Sequence, residues 1–259
     1  MSAPIDGPTG VSENDLTMVR MFIDEAKAVT ILTGAGISTD SGIPDFRGPK
    51  GVWTRNPEAE KLSTIQHYLA NPEARRLSWR ARLDNPAWRA DPNPGHLALV
   101  RLERRGKLRG LITQNVDGLH GEAGNDPERI FEVHGTMRAA ICWECHTKWP
   151  MQEILDRVRL GEDDPPCERC GGIVKSDTIM FGQNLVPEVI DGAFDAAGAC
   201  DLFIAIGTTL AVYPVANCLP VAKRAGARVV IINGEPTEMD GLADVVLRGS
   251  ISEILPELM

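Results

Sequence analysis

Four apolar runs constrain the fold of this chain more than any other feature: "AVTILTGAGIS", "LRGLITQNVDGL", "DLFIAIGTTL" and "ARVVIINGEP". Each is short, nearly continuously apolar, and closes on glycines or small polar residues. Continuous apolarity, rather than alternation, marks a strand buried on both faces, as in a parallel sheet covered by helices. Segments with helical spacing lie between the runs, among them "LTMVRMFIDEAKA", "HLALVRLERRGKL" and "VANCLPVAKRAG". The alternation predicts an α/β fold, a Rossmann-like parallel sheet with helices on both faces. Ligands of such sheets gather beyond the carboxyl ends of the strands, so the residues that close each run are the first candidates for a site.

Two segments break the alternation. Residues 57–88 are polar and rich in Arg, Trp and Pro, with helical stretches but no strand pattern, and residues 142–170 are turn-rich and carry cysteines. The expected organisation is a Rossmann-like domain in three parts, 1–52, 93–136 and 177–259, interrupted by a helical insertion at 53–92 and a ribbon module at 137–176. The two insertions are expected to pack together as a smaller domain. The N-terminal "MSAPIDGPTGVSEND" reads as a lead-in ending in a capping box from Ser12 to Asp15.

"CWEC" and "CERCGG" set Cys142 and Cys145 against Cys167 and Cys170, with 21 residues between the pairs. Each pair suits a knuckle that aims two thiolates at one ion. Four thiolates complete a tetrahedral zinc shell with no position left for water, so one structural zinc is expected. A redox dithiol would need only one pair. His146 is read as a surface residue, and Cys200 and Cys218 as core thiols. The chain shows no export signal or apolar span, which predicts a cytoplasmic protein with free or metal-bound thiols and no membrane partner. Its net charge of −9 is dispersed, which argues against direct nucleic-acid binding and suits a basic, lysine-containing partner.

Six segments carry the candidate site. In "TGAGIS", Gly34, Ala35 and Gly36 follow a strand, as in a dinucleotide turn. Thr39 stands where a third glycine belongs, and no acid closes a second strand about 20 residues on. A plain strand–helix turn fits as well. In "SGIPDFRG", Pro44 resists helix, so Ile43, Asp45, Phe46 and Arg47 are placed on a loop over the ligand, or else form a surface ion pair beside a buried Phe. "TQNVDGLH" sets Gln114, Asn115, Val116 and Asp117 at a strand end, either as ligand contacts or as a polar turn capping the next helix. Gly207, Thr208 and Thr209 close one strand, and Asn233, Gly234 and Glu235 close another. His134, in "FEVHGTM", sits where the sheet meets the ribbon and is a candidate proton acceptor near neutral pH, with a structural role as the alternative.

As a set, "GAGIS", "GIPDFRG", "TQNVDGLH", "HG", the paired CxxC motifs, "MFG" and "GTTLAVYP" stand in the order found in sirtuins of bacterial type. The resemblance runs from Val29 to the C-terminus. It implies an NAD-dependent protein lysine deacylase that yields nicotinamide, O-acyl-ADP-ribose and free lysine. By that resemblance NAD is a co-substrate, its nicotinamide held among Ile43, Asp45, Phe46, Asn115 and Asp117, and its adenosine end near Gly207, Thr208, Asn233 and Ile251. His134 is the general base and Asn115 the second catalytic residue. Acyl-lysine proteins or peptides enter a tunnel walled by Phe181, pairing with backbone near Ile179 and Val212. Mono-ADP-ribosyl transfer is the alternative activity. Gln183 replaces an acid common in the family loop.

Family members that favour acidic acyl groups carry an alanine after the cover loop and a Tyr-x-x-Arg pair; Pro49, Trp79 and Arg82 are the matching positions here. Trp79 is expected to bring bulk into the tunnel and favour acetyl-lysine, unless it and Arg82 merely pack the helical insertion.

Overall fold

The computed structural model describes residues 11–45, 48, 51–55 and 64–259. Phe46, Arg47 and Pro49 lie outside the described residues.

Nine strands run through the described chain: β1 (Val29–Thr33), β2 (Leu108–Thr113), β3 (Ile130–Glu132), β4 (Gly135–Cys142), β5 (Lys148–Pro150), β6 (Val174–Thr178), β7 (Leu202–Ile206), β8 (Arg228–Ile232) and β9 (Val245–Leu247). Six of them form one parallel sheet in the order β3-β2-β1-β7-β8-β9. The apolar runs explain why. Side chains alternate across a strand, and here both faces meet helices. Ile31, Ile204, Ile206, Val230 and Ile232 pack under Leu16, Val19 and Ile23 of the helix Glu13–Glu25, with Leu99, Leu102, Ile254 and Leu255 of two further helices. Leu32, Phe203, Ala205, Val229 and Ile231 pack on the opposite face against Ala193, Ala197, Leu219 and Ala222.

The chain leaves β1 toward β2 on one side and returns at β7 on the other. Strand order reverses there, and the diverging connections leave a crevice at the carboxyl ends of β1 and β7.

A second, antiparallel sheet has the order β5-β4-β6. With it pack the helices Met151–Arg159, Ile65–Ala70 and Pro72–Leu83. Trp79, Leu83 and Trp88 from the helical insertion share one core with Ala140, Met151, Ile154, Leu155 and Val174 from the ribbon. The two insertions therefore make one small domain. The strands of its ribbon run from Gly135 to Thr178.

One local expectation fails. The first helix begins after Ser12, but the Ser12 side chain makes no capping bond. Its carbonyl oxygen instead accepts from the N–H groups of Asp15 and Leu16, both at 3.1 Å. No capping box forms.

Candidate active site and zinc centre

The crevice opens into a cleft of about 1930 Å³ that runs from the sheet edge to the small domain. That exceeds the roughly 300–1,000 Å³ of an ordinary small-molecule pocket and has room for a dinucleotide and a peptide side chain together. Its floor is the meeting of two glycine turns. Gly34 N–H donates to the Ile206 carbonyl at 3.0 Å, and Gly36 N–H to the Gly207 carbonyl at 2.9 Å. A Cβ on Gly36 would lie 2.7 Å from Gly207 Cα, and one on Gly207 (φ +61°) would lie 2.6 Å from the Ile37 nitrogen. Glycine is required at both positions because the two backbones touch. The turn continues as a short 3-10 helix, Ala35–Ser41, closed by Gly42 at φ +84°. Ala35 and Ile43 line the cleft beside it.

Beyond β2, Gln114 donates from Nε2 to Thr208 Oγ1 at 2.8 Å and so ties this turn to the β7 turn. Asn115 is buried, and its Nδ2 donates to the Gly34 carbonyl and to Ser38 Oγ, both at 3.1 Å. Both amide hydrogens are thereby spent, which leaves Oδ1 as the side chain's acceptor. Asp117 accepts from Ser38 Oγ at 2.8 Å and from Leu119 N–H at 2.9 Å, so its carboxylate is oriented before any ligand arrives. Beneath them, Thr113 Oγ1 receives the Asn115 N–H at 3.1 Å and sits 2.8 Å from Thr33 Oγ1, which His120 Nε2 approaches at 2.9 Å. Burial holds the His120 pKa well below the ordinary histidine value.

His134 sits half-buried between the sheet and the small domain, and its Nδ1 lies 3.1 Å from the Gln114 carbonyl oxygen. A carbonyl only accepts, so Nδ1 carries the hydrogen and Nε2 is the basic nitrogen. Burial lowers the His134 pKa, with the Gln114 bond opposing it. The His134 carbonyl receives the Ile179 N–H at 2.7 Å, fixing β6 and the following loop beside His134. Val212, Phe181, Thr209 and the Asn233–Glu235 segment complete the lining, with Ile251 at the far end. Asn233 Nδ2 bonds the Glu235 carbonyl at 2.7 Å, so its amide shapes its own turn.

The sulfur atoms of Cys142, Cys145, Cys167 and Cys170 all lie within 4.8 Å of one another, with Cys142–Cys170 at 3.5 Å and Cys145–Cys167 at 3.6 Å. A tetrahedron with Zn–S of ~2.3 Å has edges of ~3.8 Å, so the cluster fits one zinc ion. Backbone builds each knuckle: Cys145 N–H points at Cys142 Sγ, and the Cys167 N–H and carbonyl pair with Gly172 and Gly171. His146 is exposed and outside the cluster; Cys200 and Cys218 are buried in the sheet core, as expected.

A model of the Sir2 family matches residues 34–214. The chain is 51% identical to NAD-dependent protein deacetylase 2 of Streptomyces coelicolor over 231 residues, which span 89% of this chain and 96% of the relative. The chain belongs to the Sir2 family. Its fold agrees with a solved Sir2 enzyme at 36% identity and a TM-score of 0.85, covering 95% of this chain and 97% of that one. A Sir2 structure with a p53 peptide and NAD+ matches at 30% identity and a TM-score of 0.84, covering 94% and 97%.

The sirtuin chain departs from expectation in several places. Trp79 is fully buried in the small-domain core and does not line the cleft, so it brings no bulk to a tunnel. Arg82 does line the cleft, with its guanidinium 5.6 Å from the centre of the Trp79 ring and Nη1 on the Ser78 carbonyl. Asp45 lines the cleft but bends its carboxylate back to the Gly48 N–H at 3.2 Å. Gln183 turns inward too, accepting from the Met180 N–H at 3.3 Å, so its amide braces its own loop. Sequence reasoning missed Ser38, the hydroxyl shared by Asn115 and Asp117, and Arg138, which reaches the same turn from β4. A serine within the glycine turn was the available signal for the first.

Proposed function

We propose that this chain is an NAD-dependent protein lysine deacetylase acting on acyl-lysine peptides, with His134 as base and Asn115 and Asp117 at the nicotinamide end. The carrying observation is the His134 tautomer: a carbonyl holds the proton on Nδ1 and leaves Nε2 basic, in the cleft that Asn115 also lines. When bound, NAD supplies an electrophilic ribose carbon once nicotinamide departs, and the net reaction converts NAD, acyl-lysine and water into nicotinamide, O-acyl-ADP-ribose and free lysine. Around that chemistry the chain orients, binds and accepts a proton. Gly34, Gly36 and Gly207 let backbone line the dinucleotide site. Gln114 locks the two strand-end turns in one register. Asn115 presents an acceptor, and Asp117 a carboxylate suited to a carboxamide N–H, charge-assisted bonds being roughly twice as strong as neutral ones. His134 Nε2 takes a proton from a ribose hydroxyl. Ile179 and Val212 offer backbone to an extended peptide at the domain boundary, with Phe181 as the apolar wall. The zinc cluster is closed to substrate and supports the small domain, which lines the cleft with Tyr68, Met137 and Ser176.

Arg82 faces the cleft and Trp79 does not, so the test includes both acetyl- and succinyl-lysine peptides. Incubated with NAD, the chain should yield free lysine and O-acyl-ADP-ribose by mass spectrometry. An ADP-ribosylated protein in place of deacylated peptide would favour the transferase alternative.

A further inference from the structure

We infer that Arg138 is a positioning residue for the nicotinamide end of the site, gripping the Asn115–Asp117 turn from the small domain. The inference rests on the reading of that turn given above. Arg138 lies on β4, outside the Rossmann-like sheet, yet its Nε donates to the Asp117 carbonyl at 2.8 Å. Its Nη1 meets Glu122 Oε1 at 2.6 Å, in the short helix Leu119–Ala123 that continues the turn. The guanidinium stands 5.7 Å from the centre of the Trp88 ring, which lines the cleft. One planar group therefore joins the turn, the helix behind it and the small-domain wall.

Two further observations show that the turn is shaped to receive this arginine. Gly118 sits at φ +77°, and a Cβ there would lie 3.1 Å from Arg138 Nε and 3.2 Å from Cγ. Glycine suits the left-handed backbone here, and its bare Cα lets the arginine stem lie close over it. Next to it, Met137 N–H donates to the Val116 carbonyl at 2.8 Å, so backbone and side chain of β4 hold two successive carbonyls of the same turn. The Asp117 side chain is fixed from the sheet side by Ser38, and its carbonyl from the small-domain side by Arg138. Loss of the second hold frees the peptide unit that aims the carboxylate, without touching the glycine turns at the adenosine end.

The test uses the full zinc-loaded chain and two probes, nicotinamide as inhibitor and ADP-ribose as a ligand lacking nicotinamide. Arg138→Met should raise the nicotinamide inhibition constant about tenfold, the lower range for a hydrogen bond from a charged donor. ADP-ribose affinity should stay within about twofold, and Arg138→Lys should recover part of the loss, because an ammonium still reaches one carbonyl. If Arg138→Met does not fold, Glu122→Gln serves instead and should raise the constant about two- to threefold by releasing one end of the grip. An unchanged nicotinamide constant, or equal weakening of nicotinamide and ADP-ribose, overturns the inference alone. Absence of nicotinamide inhibition in the unsubstituted chain overturns the functional reading and this inference with it.

Discussion

Gly36→Ala tests whether contact between the two glycine turns sets the geometry of the site. The added methyl would sit 2.7 Å from Gly207 Cα, 2.9 Å from its oxygen and 3.1 Å from its carbonyl carbon. All three are backbone atoms, so no side chain can swing away. Relaxing to an ordinary contact of ~3.5–4.0 Å requires the β1 and β7 turns to part by about 1 Å. That movement also stretches the 2.9 Å bond from Gly36 N–H to the Gly207 carbonyl. Overpacking of this kind costs about 1–3 kcal/mol, which lowers Tm by roughly 2–12 °C in a chain of this size. A displacement of ~1 Å at a reacting site costs on the order of 10²-fold in rate. Gly121→Ala is the matched control, a helical position with nothing within 4 Å of the added carbon, and should stabilise by about 0.5–1 kcal/mol. Thermal denaturation with isothermal titration of NAD reads both effects. If Gly36→Ala melts within about 1 °C of the parent and binds NAD equally well, contact between the turns does not organise the site.

Three other outcomes follow from named groups. Cys167→Ser, at a buried ligand position, should lose zinc by metal analysis and fold in lower yield; active protein with no zinc in either form would refute the assignment. Glu132 has its pKa raised from 4.5 to about 7, chiefly by burial and then by Asp117 and Asp177, against the pull of Arg138. The folded state thus holds that proton more tightly, and stability falls as pH rises from about 4.5 through about 7. Glu132→Gln should therefore raise Tm at pH 8 and leave it nearly unchanged at pH 5, and a pH-independent difference would contradict the reasoning. Because burial lowers the His134 pKa, the acid limb of kcat/KM should have its midpoint below the usual ~6.5, and a midpoint above it would argue for a different base.

The sheet was legible because five-residue runs such as Val29–Thr33 are buried along their whole length, and their length and closing glycines suit a strand covered on both faces. The cysteine pairs were legible because knuckle spacing is local. Gln114, Asn115, Asp117 and His134 could be located from their positions at strand ends. Their partners could not. Ser38 meets Asp117 across 79 residues, and Arg138 meets the same turn from another domain. Trp79 stood open between tunnel and core because the helix Pro72–Leu83 is rich in charge on several sides, and the ribbon packed against it decides which face is core. Ser12 was correctly placed at a helix start, but a hydroxyl at that position has other rotamers available, and the backbone carbonyl alone makes the first turn.

The most direct test of the account is the chemistry of His134→Ala with an acetyl-lysine peptide and NAD. The substitution removes the basic Nε2 together with the Nδ1 bond to the Gln114 carbonyl, and leaves the Gly34 and Gly207 backbone contacts and the Gln114 side-chain bond to Thr208 in place. NAD affinity should stay close to that of the parent, and release of free lysine should slow by about 10²–10⁴-fold. Lysine release at a near-parental rate, or loss of NAD binding in step with activity, would contradict it.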